Sequence, residues 1–390
     1  MTHMFDNQLG YYTVGSSPFL NKYKALVAGT QTKQDVKYHW YDSAFTSFDR
    51  SRLGKVSLNE MYKQRAQQIR DSYDYVILNY SGGCDSWNIL KTFLDNKIKL
   101  DQVMVCWPFT AAERKVYNSN KNDTTAFNFM SEWDFTTKPD LEWLAKNHPE
   151  IKIELIDWAD PFVNDSNFVS YDKFDQLNHF HNLADLSRST LFSETEKKLI
   201  DQGKTVATIW GIDKPQVYFD ATTKTMSMRF PDSVTTVGHP PIYNPHGTEF
   251  FYWSPKMPEL AFEMAYQTVQ WFKTRPGYQQ FLFPADNKSY VMPYINYVQV
   301  NQIAARDACY TTWAEKENKF QVNKSTSISR QDKDSWLYTS SELTHHVSKW
   351  KGIFKEHAFV LDSKFIAFNQ RQEREGYLPC LTQSHYICDF

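Results

Sequence analysis

The hexapeptide Ser81-Gly82-Gly83-Cys84-Asp85-Ser86 is where residue types and spacing in this sequence most directly imply chemistry. Two adjacent glycines permit backbone conformations and a close approach that side chains would block. A helix beginning directly after them offers N–H groups and the positive end of its dipole, so an anion is expected there. Ser81 and Ser86 add hydroxyl donors for phosphate oxygens, and Asp85 either holds a magnesium ion bridging such oxygens or caps the helix. A second polar group, Trp210-Gly211-Ile212-Asp213-Lys214-Pro215, follows an apolar run. It would present an acid and a base at the carboxyl end of a strand, where open α/β sheets bind ligands. The plainer alternatives are a Ser/Gly turn that caps a helix, and a turn in which Asp213 caps and Lys214 is solvated.

These residues need a scaffold, and the periodicity supplies one. Four apolar runs, Tyr75 to Tyr80, Gln102 to Trp107, Ile151 to Trp158 and Thr205 to Trp210, alternate with helical or irregular stretches, as a parallel sheet covered on both faces requires. Ser57-Leu58-Asn59-Glu60 forms a capping box, and Leu58, Met61, Tyr62, Ala66 and Ile69 recur at helical spacing, which predicts a helix to about Ser72. Ile89, Leu90, Phe93 and Leu94 share a face after Cys84, so the first run passes through the glycine turn into a helix. The expected fold is α/β: three αβα layers around a parallel, Rossmann-like sheet. Residues 1–56, with Tyr11-Tyr12-Thr13-Val14 and Val36-Lys37-Tyr38-His39-Trp40, read as a small β-rich lead-in. Residues 57–230 form the unit that carries the Ser81–Ser86 loop. A Pro-rich change of texture near residue 230, followed by a helix from Pro258 to Phe272, opens a mixed C-terminal region over 231–390.

The strand–Ser81-Gly82-Gly83-Cys84-Asp85-Ser86–helix unit resembles the SGGxDS signature of the PP-loop ATP pyrophosphatases, matching all five fixed positions. That superfamily includes asparagine, GMP and NAD synthetases, tRNA-modifying enzymes and phosphoadenylylsulfate reductase. The resemblance covers roughly residues 58 to 215, and the flanks look like phage and bacterial proteins that share this loop. It implies a HUP-type sheet, ATP and Mg2+ as cofactors, and attack on the α-phosphate with release of pyrophosphate. On this reading Ser81, Gly82, Gly83, Cys84, Asp85, Ser86 and Gly211 cradle the phosphates, and Asp85 and Asp213 hold the metal. Lys214 offsets charge on the leaving group, and Val105, Cys106 and Trp107 receive adenine, chiefly through backbone groups. The expected activity is an AMP-forming ligase that adenylates a carboxylate or carbonyl oxygen of a small molecule or nucleobase for attack by ammonia or an amine. Sulfur transfer or adenylylsulfate reduction, and nucleotide binding without turnover, are the competing readings.

Departures from the family narrow the field. No cysteine precedes Cys84, so an internal glutaminase is not expected. The reductase branch carries a lysine in its glycine loop and a C-terminal ECG segment, where this chain has Cys84 and no ECG. No CxxC pair occurs among the five cysteines, which speaks against sulfur relay, a cysteine-rich zinc site and a disulfide scaffold. His179 and His181 with Arg188, and Arg114 with Ser131-Glu132-Trp133, are further polar groups for which a solvated surface is the plainer role. The net charge of −2 argues against a protein that works mainly by neutralising nucleic-acid phosphates. No run of about 18 apolar residues and no basic-then-apolar leader occurs, so no membrane association and a cytoplasmic location are expected, with oligomer formation left open.

Overall fold

The computed structural model describes residues 10–113, 130, 132–170, 193–212, 214–232, 244, 246–286, 295–316, 340–369 and 374–390. The chain opens with an antiparallel three-stranded sheet, β1 (Tyr11–Val14), β2 (Ser17–Phe19) and β3 (Val36–His39), in the order β2-β1-β3. Two helices, α1 (Lys22–Thr32) and α2 (Asp42–Thr46), accompany it, so the expected β-rich lead-in also contains helix. Next comes α3 (Leu58–Ser72), whose N-cap is the expected Ser57, its side chain accepting from the Glu60 N–H. Leu58, Met61, Tyr62, Ala66 and Ile69 are the buried face.

The central sheet is parallel and contains β4 (Tyr75–Asn79), β5 (Gln102–Trp107), β6 (Lys152–Asp157), β7 (Val206–Trp210) and β10 (Thr248–Phe250) in the order β10-β7-β4-β5-β6. From β4 the chain winds outward through β5 to β6, then returns to place β7 on the other side of β4. That reversal puts the topological switch point between β4 and β7, where doubly wound sheets leave a crevice at their carboxyl ends. Helices α4 (Cys84–Asp95), α5 (Phe109–Glu113), α6 (Lys138–Asn147), α7 (Asp160–Asn164) and α8 (Glu194–Asp201) lie among these strands in sequence. A π-helical turn, Trp133–Thr137, runs directly into α6.

β8 (Gln216–Asp220) and β9 (Thr225–Arg229) form a hairpin in a second sheet, ordered β11-β8-β9-β14, with β11 (Phe283–Pro284) and β14 (His385–Asp389). The remaining elements are α9 (Pro258–Lys273), α10 (Ile295–Cys309), α11 (Thr311–Glu315), α12 (Thr344–Ala358), and the pair β12 (Ile366–Asn369) and β13 (Arg374–Tyr377). Sheet membership crosses the composition boundary near residue 230 in both directions: β10 joins the central sheet, while β9 pairs with the C-terminal β14. One continuous apolar core runs from Tyr12 through Leu78 and α9 to Ile387.

The fifth strand, β10, is absent from the sequence expectation because only Thr248–Phe250 pair. It is fixed by a buried charge: Glu249 Oε2 accepts from Arg65 Nη2 of α3 at 2.5 Å. Burial pushes the Glu249 carboxyl up, but Arg65 and Lys256 outweigh burial and hold it below the usual carboxylate range. No helix among the described residues is long and apolar enough to cross a membrane.

Candidate functional site

The Ser81–Ser86 loop leaves the carboxyl end of β4 at the switch point and turns into α4. Gly82 adopts a φ of +75°, and a Cβ there would lie 2.7 Å from Thr137 Oγ1, so both the backbone region and the space require glycine. Gly83 is the N-cap of α4 and receives no side-chain capping bond. The loop is closed from within: the Ser81 N–H donates to Ser86 Oγ at 3.2 Å, and Ser86 Oγ donates to the Gly83 carbonyl at the same distance. Thr137 Oγ1, presented by the π-helical turn, donates to the Ser81 carbonyl at 3.0 Å.

The end of β7 passes directly against this turn. A Cβ on Gly211 would meet Ile89 Cδ1 at 2.8 Å and the Asp85 carbonyl carbon and Ser86 nitrogen at 3.2 Å, so Gly211 brings the two strand ends together. The chain beyond it brings Lys214 to the neighbouring loop: its Nζ lies 2.8 Å from Asp85 Oδ1 and 3.1 Å from Oδ2. Thus the base at the end of one strand reaches the acid in the loop at the end of its neighbour. Asp213 lies outside the described residues, as do Arg114, Ser131, His179, His181 and Arg188.

Two tyrosines complete the surroundings of Asp85. Tyr310 donates its hydroxyl to Asp85 Oδ1 at 2.7 Å, and Tyr252 donates to the Asp85 backbone carbonyl at 2.7 Å while accepting from Asn88 Nδ2. Burial, with the Asp85 charge second, pushes both phenols well above their ordinary value, so both are neutral donors across the working pH range. The Asp85 side chain is 20% exposed and that of Lys214 is 9% exposed, so the pair stands at the edge of water.

A second lysine approaches from the opposite side. Lys316 Nζ donates to the Gly82 carbonyl at 3.0 Å, to Thr136 Oγ1 at 2.8 Å and to Asp140 Oδ2 at 2.6 Å. Tyr80, the last residue before the loop, donates to the same Asp140 oxygen. Burial moves both members of this pair towards their neutral forms, lowering Lys316 and raising Asp140, against the attraction each exerts on the other. None of Tyr80, Tyr252, Tyr310, Lys316 and Asp140 is among the site residues expected from the sequence. Their roles depend on contacts across 60 to 234 positions, which no local spacing signals.

The residues expected to receive adenine separate by burial. Val105 and Trp107 have their side chains in the core at 0% and 1% exposure. The Trp107 indole N–H donates to Met130 Sδ and its ring lies against Trp133, so Trp107 is a packing residue rather than an open stacking face. Cys106 is half-buried. Cys84 is buried with its Sγ 3.8 Å from Asp85 Oδ2, and none of the five cysteines, all among the described residues, forms a disulfide.

No family model, curated protein or solved structure matches this chain.

Proposed function

We propose that this protein is an ATP pyrophosphatase-type enzyme, an AMP-forming ligase acting at the β4–β7 switch point. The observation that carries the reading is the convergence of the glycine loop, the start of α4 with its glycine N-cap and Lys214 at adjacent strand ends, the lysine 2.8 Å from Asp85. Such a combination suits a polyphosphate: helix N–H groups and the Ser81 hydroxyl would donate to oxygens, and a lysine would supply a point charge. Mg2+ fits the donor set, since it is commonly held by one or two carboxylates together with substrate phosphates, and Asp85 is the described carboxylate on hand. When bound, the ion would supply charge neutralisation on the phosphate oxygens.

In the reaction an acceptor oxygen attacks the α-phosphorus as the bond to the α,β-bridging oxygen breaks, its electron pair leaving with pyrophosphate. Ammonia or an amine then attacks the activated carbon, loses a proton and displaces AMP. Lys214 would leave Asp85 for the departing pyrophosphate, where its charge counts most as the bond breaks. Tyr310 keeps a hydrogen bond to Asp85 during that exchange, which orients the carboxylate. Equilibrium titration with Mg·ATP, repeated with pyrophosphate as competitor, tests the site. Saturable binding that pyrophosphate displaces is expected, and absence of nucleotide binding would remove the reading.

A further inference from the structure

Tyr310 to Lys316, a segment far from the loop in sequence, makes four hydrogen bonds to the loop–helix unit. Tyr310 bonds Asp85, Thr312 Oγ1 donates to Asn88 Oδ1 at 3.2 Å, the Thr312 carbonyl accepts from Trp87 Nε1 at 3.3 Å, and Lys316 bonds the Gly82 carbonyl. We infer that Tyr310–Lys316 is a strap that holds the Ser81–Ser86 loop in its anion-binding shape, with Lys316 as a positioning residue. Its consequence for nucleotide binding rests on the function proposed above.

The chemistry of Lys316 supports positioning over ligand contact. An ammonium has three protons, and here all three have buried acceptors, Gly82, Thr136 and Asp140. The side chain is 1% exposed and lies over the rings of Trp87 and Trp313, at 4.8 and 5.3 Å from their centroids. No proton is left for a phosphate. What Lys316 does control is a peptide plane. The Gly82 carbonyl and the Gly83 N–H belong to one planar unit and point in opposite directions. A cation fixed on the carbonyl therefore fixes the direction of the N–H that leads into α4. Glycine at φ +75° has many other conformations open to it, so this plane needs an external hold. Asp140 supplies the hold's anchorage, joining Lys316 of the strap to Tyr80 at the end of β4.

The test compares wild type, Lys316→Met/Asp140→Asn and Tyr310→Phe. The double substitution removes both charges together and so avoids stranding a buried carboxylate, while Asn keeps an acceptor for Tyr80. Two quantities are read: amide hydrogen exchange across residues 82–87 relative to α9, and the Kd for Mg·ATP. In the double variant, exchange in 82–87 should rise at least tenfold with α9 unchanged, and Kd should weaken about tenfold, the scale of one charge-assisted hydrogen bond. Tyr310→Phe should shift both in the same direction by a smaller factor, and it decides the question should the double variant fail to fold. A folded variant with wild-type exchange in 82–87 overturns the strap, as does a rise spread equally over α9. Wild-type protein that binds no Mg·ATP removes the proposed function, while the exchange measurement still decides the strap.

Discussion

Two lysine–aspartate pairs flank the Ser81–Ser86 loop and differ in their access to water. Lys214 and Asp85 are 9% and 20% exposed, whereas Lys316 and Asp140 are 1% and 5% exposed. The first pair joins two strand ends, with the Asp85 side chain 20% exposed to water. The second pair is sealed, and exchanging its partners would strand a charge in the interior. The same residue types thus sit in opposite settings: on the proposed function the first pair would meet the ligand, and the sealed pair would keep the loop in shape.

Substitutions can break this contrast in order of expected effect. Asp85→Ala should abolish metal-dependent ATP turnover while the protein remains folded by circular dichroism, because it removes the carboxylate proposed to hold the metal at a partly exposed loop position. Unchanged turnover would sink the assignment. Asp140→Ala should act on stability instead, costing about 3–5 kcal/mol by leaving the buried Lys316 without its counter-charge. Urea denaturation measures it, and a loss below about 1 kcal/mol would show that the sealed pair is not an anchor. Lys214→Met keeps most of the aliphatic stem and removes the charge, so turnover at saturating ATP should fall about 10²- to 10³-fold with little change in ATP affinity. Equal turnover would reduce Gly211 to Pro215 to a turn. Smallest of the four is Gly82→Ala, which forces a side chain into a φ of +75° and against Thr137 and should cost about 1–3 kcal/mol of stability. A thermal midpoint equal to wild type would show that the loop adapts freely.

The same contrast explains what could be read from the sequence. The loop, α3, α4 and four of the five central strands are encoded locally: continuous apolar runs for the strands, a Ser57–Glu60 cap and periodic Leu58, Met61 and Ile69 for α3, and paired glycines at the turn. The position of Lys214 was legible too, because it follows by four residues a strand that parallel pairing places beside β4. β10 was not, since three residues carry no periodicity and it depends on the buried Arg65–Glu249 contact. The sealed pair was invisible for a related reason. Asp140 sits in an ordinary amphipathic helix and Lys316 at the end of a five-residue one, and only the tertiary fold brings them to Gly82. Trp107 shows the converse, since an aromatic at a strand end gives no signal of whether its face is open or, as here, covered by Trp133 and Met130.

Product analysis addresses the central claim most directly. The protein is incubated with Mg2+ and ATP labelled separately at the α- and γ-phosphates, in the presence of pooled carboxylate, nucleobase and amine acceptors, and the products are resolved chromatographically. Cleavage between the α- and β-phosphates is the expected result, with the α label in AMP or its adducts and the γ label in pyrophosphate. Recovery of the α label in ADP, with the γ label in inorganic phosphate or in a phosphorylated acceptor, would contradict it and indicate an ATPase or a kinase instead.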